Sequence, residues 1–225
     1  MSQTARSSRP LQLPKRSTLF DETCDRLGLS AAAREQVAAY VATLGKWQPR
    51  LNLIGPKTWA DVWDRHVVDS LQCLDHLGTA DEGRGWADIG TGAGFPGVVL
   101  ALATGIPVRL VESDQRKAAF LLAVKTATGA PVTVVNSRIE SLPPAPLDVL
   151  FARAFAPLPR LLDCCEPMID AETTLILHKG RRAQDELDEA AQAFSFEAEG
   201  FPSLIDREWV VLRLCTRRQQ AEEGV

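Results

Sequence analysis

The 225-residue sequence has few cysteines, few histidines and no long apolar run. Its five cysteines are an odd number without a Cys-x-x-Cys pair, which excludes a disulfide scaffold or zinc cluster and is typical of a reducing cytosol. No apolar stretch approaches the ~20 residues of a membrane span. The three histidines lack spaced metal partners. We therefore expect a cytoplasmic protein with no metal and no membrane contact.

An excess of basic residues is also missing. The net charge is −4, whereas a protein that binds nucleic acid over its whole surface is usually basic. The charge is uneven, however, because residues 1–20 carry four basic residues and no acid. Residues 1–16 are rich in Ser, Arg and Pro, which predicts a mobile arm and not a signal peptide. With 45% hydrophobic and 24% charged residues, the rest has the composition of a globular protein.

Hydrophobic periodicity changes near residue 85. Before it, apolar residues recur at helical spacing over residues 29–47 and 59–77, and Pro49 is expected to end the first helix. After it, short apolar runs alternate with helical stretches, which predicts a mostly parallel sheet with helices on both faces. Residues 194–201 and 209–215 are expected to add an antiparallel hairpin. The predicted units are a basic arm (1–18), a helical cap (19–80) and a core (81–225), the last two forming one compact unit.

A glycine-rich loop over residues 88–97 follows the first predicted strand and opens a helix. Glycines there allow close approach between a ligand and the backbone, and the helix N-terminus has unpaired N–H groups. The series Gly92, Gly94 and Gly97 matches a dinucleotide fingerprint. The overlapping series Asp88, Gly90, Gly92 and Gly94 resembles motif I of S-adenosylmethionine-dependent methyltransferases. Pro96 removes one N–H that a pyrophosphate would use, and Asp88 could face an ammonium group, so the methyltransferase interpretation is favoured.

Two later loops suit a nucleoside. Glu112 ends the second predicted strand, where a carboxylate can accept both ribose hydroxyl hydrogens. Both candidate cofactors contain that ribose, so Glu112 does not choose between them. The loop at residues 136–140 follows the third strand.

Several strings, in this order and spacing, closely resemble the RsmG (GidB) family of small-subunit ribosomal RNA guanine-N7 methyltransferases. Arg65-His66 precedes Asp69-Ser70, and Arg153-Ala154-Phe155 and Lys179-Gly180 follow the glycine loop. The likeness covers roughly residues 30–180. His178 departs from the pattern, since a small or apolar residue is expected before Lys179.

The resemblance implies a Rossmann-like, seven-stranded class I methyltransferase sheet with an N-terminal helical cap. It implies S-adenosylmethionine as the cofactor, and 16S rRNA or the 30S particle as the partner of an expected monomer. The cofactor-binding residues it implies are Gly90, Gly92, Gly94, Phe95, Glu112, Ser113, Ile139, Glu140 and Arg153. Arg153 would also position the substrate. The implied RNA contacts are Asn52, Arg65, His66, Arg116, Arg138 and Lys179, and His66 with Asp69 would support the loop that carries Asn52.

Missing catalytic strings agree with this chemistry. Amino-group methyltransferases typically carry Asn/Asp-Pro-Pro-aromatic after the fourth strand, where this chain has Ala152-Arg153-Ala154-Phe155. Carbon-5 methyltransferases need a cysteine nucleophile, but Cys164 and Cys165 fall within a predicted helix. Guanine N7 has a free lone pair and needs no general base, so alignment would supply most of the catalysis. We expect Arg153 to hold a phosphate or the guanine in a bidentate manner.

Local basic residues could offset the acidic balance. They lie in the cap or at predicted strand ends: Arg50, Lys57, Arg65, Arg116, Lys117, Arg138, Arg153, Lys179, Arg181 and Arg182. Two alternatives remain open from the residues alone. One is an NAD-dependent oxidoreductase on the overlapping glycine series, and the other is a non-catalytic nucleotide- or RNA-binding module.

Overall fold

The structure is a computed structural model that describes residues 11–78 and 83–216, so residues 1–10 of the predicted arm lie outside the described residues. Its α-helices are α1 Thr18–Arg26, α2 Ala31–Leu51, α3 Asp69–Leu71, α4 Gly97–Thr104, α5 Gln115–Thr128, α6 Leu158–Cys165 and α7 Ala183–Ala190. Its strands are β1 Trp86–Ile89, β2 Val108–Val111, β3 Val132–Val135, β4 Val149–Arg153, β5 Thr174–Lys179, β6 Phe196–Pro202 and β7 Val210–Thr216.

The seven strands form one sheet in the order β3-β2-β1-β4-β5-β7-β6. Strands β1 to β5 pair in parallel, whereas β7 runs antiparallel to β5 and to β6. The predicted parallel sheet with an antiparallel hairpin at its edge is confirmed. The strand order reverses at β1, which lies between β2 and β4. The loops that follow β1 and β4 therefore lead in opposite directions and leave a crevice between them.

Buried apolar side chains lie on both faces of this sheet. Along β4, Phe151 belongs to the cluster shared with the cap, while Leu150 and Ala152 belong to a second cluster. Successive side chains of a strand point to opposite faces, so the two clusters cover opposite faces. Coverage of both faces explains why β1 is buried at every position, including the polar residue Asp88.

Helix α2 begins at Ala31, two residues after the predicted start, and ends later than predicted. Ser30 caps it by accepting a hydrogen bond from the Ala33 N–H (3.1 Å). The prediction that Pro49 ends the helix is wrong, since α2 continues to Leu51. Pro49 has no N–H for the carbonyl of Gly45, four residues earlier. Leu11 donates its own N–H to that oxygen instead (3.0 Å), so the proline is accommodated.

The start of the described chain lies against the cap. The Trp59 indole donates to the Gln12 carbonyl (3.0 Å), and the Trp63 indole donates to the Pro14 carbonyl (2.9 Å). Residues 11–18, which the sequence assigns to the arm, are therefore packed on the helices in this structure.

The second predicted cap helix is irregular. It contains a π-helix at Trp63–Val68, the short α3 and a 3₁₀ helix at Gln72–His76. π-helices are rare and frequently mark functional sites. This one carries Arg65 and His66 and ends where Asp69 begins.

Candidate functional site

The side chain of Asp88 fixes the loop between β1 and α4 through hydrogen bonds. This carboxylate is fully buried, and its Oδ2 accepts hydrogen bonds from the Thr91 hydroxyl and from the Gly97 N–H (2.8 Å). Burial raises the pKa of Asp88 to about 7. Asp88 thus shapes the loop, and the expectation that it faces a ligand's ammonium group is not met.

Gly90 permits the closest contact in this loop. Its φ is +62°, and a Cβ at this position would lie 2.3 Å from the Phe155 ring. Only glycine therefore fits beneath Phe155. Ala154, the residue before Phe155, has a φ of +50°, which is a strained conformation for a non-glycine residue.

Glu112 joins the first two loops of the sheet. Its Oε2 accepts from the Gly92 N–H (2.9 Å), and its Oε1 accepts from the Asp114 N–H (2.7 Å). The side chain is buried. Each carboxylate oxygen has a second acceptor site, and Glu112 lies directly before Ser113, although it is not itself in the lining of the adjacent cavity.

A cavity of about 300 Å³ opens at these carboxyl ends, above the reversal of strand order. It brings together four of the predicted cofactor residues, Gly90, Ser113, Ile139 and Glu140, and the predicted RNA contact Arg138. The lining combines apolar side chains with hydroxyl and carboxylate groups, which suits an adenosine. Gly92 lies beside it through its hydrogen bond to Glu112, whereas Gly94 is buried and packs against Val98.

Phe95 and His66 form part of the interior. The Phe95 ring lies 5.0 Å from the His66 ring and 5.2 Å from the Tyr40 ring. His66 Nε2 lies 2.8 Å from the Thr58 hydroxyl, and burial lowers the pKa of His66 to about 3. His66 is thus a neutral buried ring, so it does not present the predicted RNA contact. The Phe95 ring likewise packs on the cap and not in the cavity.

Arg153 is an internal residue in this structure. Its Nη2 donates to the Arg65 carbonyl (2.8 Å) and lies 3.3 Å from Asp69 Oδ2, while its side chain is 14% exposed. Its Nη1 is buried without a hydrogen-bond partner among the described residues. The predicted bidentate contact with a phosphate or the guanine stays a prediction, because in this arrangement Nη2 already binds the cap. Arg153 instead fastens the end of β4 to the cap.

His178, the departure from the family pattern, belongs to the same cluster. Its Nε2 donates to the Asp69 carbonyl (2.8 Å) and lies 3.7 Å from the Cys73 sulfur. Burial lowers the pKa of His178. A neutral histidine therefore stands where a small residue was expected, and its ring is hydrogen-bonded to the cap.

The other predicted RNA contacts are dispersed. Arg138 lines the cofactor cavity and is exposed, and Arg116 is exposed in the first turn of α5. The Arg65 guanidinium lies 5.3 Å from the Trp209 ring. Asn52 caps α2 in a left-handed conformation and borders a separate hollow on the cap.

Within residues 11–78 and 83–216, no group of three or more potential metal ligands is brought together, and no helix is long and apolar enough to cross a membrane.

A second cavity, of about 280 Å³, lies at the carboxyl ends of β4 and β5. It is lined by the predicted RNA contact Lys179, by Glu186 and by Phe155, which also lines the first cavity. Sequence reasoning missed Phe155 and Glu186. Phe155 stands in a quoted string without an assigned role, whereas nothing distinguishes Glu186 from the other acids of α7.

Comparison with known proteins adds independent evidence. The chain matches the GidB family, described as rRNA small subunit methyltransferase G, over residues 33–206. It is 43% identical over 194 residues to Ribosomal RNA small subunit methyltransferase G of Paramagnetospirillum magneticum, covering 86% of this chain and 94% of the relative.

Solved structures of lower identity share the fold. A TehB-like SAM-dependent methyltransferase from Corynebacterium glutamicum aligns with a TM-score of 0.53 at 16% identity, covering 72% of this chain and 93% of the other. A mutant of MtNAS in complex with S-adenosylmethionine aligns with a TM-score of 0.55 at 20% identity, covering 88% and 77%. The sheet is therefore that of the class I methyltransferases.

Proposed function

The chain belongs to the rRNA small subunit methyltransferase G family, and we propose that it transfers a methyl group from S-adenosylmethionine to N7 of one guanine in small-subunit rRNA. Its fold is that of the S-adenosylmethionine-dependent methyltransferases, and its substrate class is small-subunit rRNA. The observation that carries the proposal is the cavity of Gly90, Ser113, Ile139 and Glu140 at the reversal of strand order.

The residues around this cavity fit the cofactor. Glu112 precedes the lining residue Ser113 and has two acceptor oxygens held by backbone N–H groups, and we propose that these oxygens accept from the ribose diol. Ile139 offers an apolar surface to an adenine, and Glu140 borders the same wall. We propose that Gly90, Gly92 and Gly94 shape the approach to the donor, and that Phe95 acts from the interior by fixing this loop against Tyr40.

The proposed reaction needs no general acid or general base. S-adenosylmethionine supplies a methyl group bonded to a positively charged sulfur. Guanine N7 is an acceptor without a proton, so no residue must remove one. The protein instead orients the base and excludes water, and both tasks depend on a rigid loop and cap.

We assign Arg153 a positioning role through the cap. Its contacts with Asp69 and the Arg65 carbonyl tie the end of β4 to the π-helix that carries Arg65. The cap (19–80) and the core (81–225) would thus act as one unit. Arg65, Arg116, Arg138 and Lys179 are proposed to contact RNA, while cytoplasmic location and the monomeric state stay predictions.

The oxidoreductase alternative receives no support from the comparisons. Calorimetry tests it directly: we expect binding of S-adenosylhomocysteine and no heat from NAD. Transfer of labelled methyl groups to small-subunit particles that lack the modification tests catalysis. Absence of transfer, with binding of S-adenosylhomocysteine intact, would instead favour a non-catalytic module.

A further inference from the structure

We propose that the cavity between Phe155 and Lys179 receives the target base, and that the Lys179–Glu186 pair recognises it as guanine. This inference rests on the proposed function, since it names the group that selects the methyl acceptor. The cavity is distinct from the cofactor cavity and adjoins it, since Phe155 lines both.

The position of the cavity suits an acceptor. It lies at the carboxyl ends of β4 and β5, next to the cofactor cavity at the ends of β1 to β3. Its volume of about 280 Å³ lies near the lower end of ligand pockets, which begin at about 300 Å³. The space therefore suits one base and not a whole nucleotide. An aromatic face at its wall offers a stacking surface for that base.

The polar groups of the cavity are held in place and only partly used. Lys179 Nζ donates to the Ala156 carbonyl and to Glu186 Oε2, both at 2.8 Å. An ammonium group has three N–H donors, so one remains. Glu186 Oε2 also accepts from the Leu158 N–H (2.8 Å), whereas Oε1 has no hydrogen-bond partner among the described residues. The side chains of Lys179 and Glu186 are only 8% and 18% exposed.

The cavity thus presents one donor beside one acceptor, and this pattern fits guanine. The edge of guanine that pairs with cytosine presents the O6 acceptor beside the N1–H and N2–H donors. Adenine presents the reverse, an amino donor beside an acceptor nitrogen. The free N–H of Lys179 would bind O6, and Glu186 Oε1 would accept from N1–H and N2–H. N7 lies on the opposite side of the purine from N2, so it would point away from Glu186.

A purely structural role for the pair is the rival explanation, because Glu186 also holds the first N–H of α6. A test therefore needs a measurement that packing alone would not change. Discrimination between guanosine and inosine is such a measurement, since inosine lacks only the N2 amino group.

The first experiment uses the unaltered protein. Small-subunit particles are reconstituted with guanosine, inosine or adenosine at the target nucleotide, and kcat/KM for methyl transfer is measured. We expect inosine to be about 10-fold or more poorer than guanosine, as the loss of a hydrogen bond to a charged group predicts, and adenosine to be inactive. Equal rates with guanosine and inosine would overturn the inference. No transfer to guanosine would instead overturn the proposed function itself.

The second experiment uses Glu186→Gln, with Glu189→Gln on the exposed side of the same helix as the control of equal charge change. We expect Glu186→Gln to lower kcat/KM for guanosine about 10- to 100-fold, to reduce the guanosine–inosine difference below about twofold, and to leave S-adenosylhomocysteine binding intact. Glu189→Gln should match the unaltered protein. A Glu186→Gln protein that keeps full discrimination would overturn the role of Glu186. If this variant does not fold, the first experiment decides alone.

Discussion

At the scale of single residues, Gly90 carries a steric demand that can be measured. In Gly90→Ala, the new methyl group meets the Phe155 ring and the backbone keeps a φ of +62°. Gly105→Ala is the matched control, because Gly105 has a φ of +75° and open space around a Cβ. Both variants bear the cost of a left-handed alanine, about 1–2 kcal/mol.

Gly90→Ala should lose a further 1–3 kcal/mol or so from overpacking, measured as the free energy of unfolding in urea. Adding Phe155→Ala should recover part of that difference. Equal losses in Gly90→Ala and Gly105→Ala would contradict the observed packing.

His66 predicts a pH dependence. Burial lowers its pKa from 6.5 to about 3, so the folded protein holds the ring neutral where the unfolded chain protonates it. The stability due to His66 is therefore complete above pH 6.5 and is lost as the pH falls toward 3. We expect the difference in unfolding free energy between the unaltered protein and His66→Gln to shrink steadily as the pH falls from 6.5 to 4.5. Parallel curves over this interval would show that His66 is not held neutral.

At the scale of elements, the strands were predictable, whereas the end of α2 and the irregular second helix of the cap were not. Strands β1 and β3 have the bounds that the sequence predicts, residues 86–89 and 132–135, because each is a short apolar-rich run bordered by turn residues. The carboxyl ends of β2 and β3 place Ser113 and Ile139 in the lining of the cofactor cavity. The end of α2 was not predictable, because the group that compensates Pro49 is the distant N–H of Leu11.

The candidate site was likewise only partly predictable from the sequence. Arg153 was correctly placed at the end of β4, but its ion pair depends on Asp69, which is far away in sequence. His66 was assigned to RNA from a motif, and only the packed structure shows that its ring is buried. Hydrophobic periodicity and motifs therefore do not predict which side chains from different elements contact each other.

The hydrogen bond that accommodates Pro49 gives a prediction at this scale. Leu11→Pro removes the N–H that Gly45 uses, whereas Leu13→Pro is a control with a similarly exposed side chain, 43% against 38%. Leu11→Pro should be less stable than Leu13→Pro by about 1 kcal/mol in urea unfolding. Equal stabilities would mean that α2 tolerates Pro49 without help from residue 11.

At the scale of the whole molecule, one buried ion pair connects the cap to the core. Arg153 and Asp69 are 14% and 1% exposed, so removing either partner leaves a buried charge. Arg153→Met and Asp69→Asn should each destabilise the protein strongly. The double variant should be more stable than the sum of the single losses predicts, by about 0.5–3 kcal/mol. Strict additivity would mean that the two side chains do not interact.

The charge distribution also belongs to this scale. A net charge of −4 does not prevent RNA binding if basic groups gather at one end of the sheet. The described bases at that end include Arg116, Arg138 and Lys179, although Lys179 is paired internally. Affinity for bulk RNA is therefore expected to be weak and sensitive to salt, with selection by the shape of one folded target.

The most direct test maps 7-methylguanine in small-subunit rRNA from cells with and without this gene. The proposed function predicts one 7-methylguanine that disappears when the gene is deleted and returns with the unaltered gene. Unchanged 7-methylguanine in the deletion strain, or loss of a methyl group from a different atom or base, would contradict it.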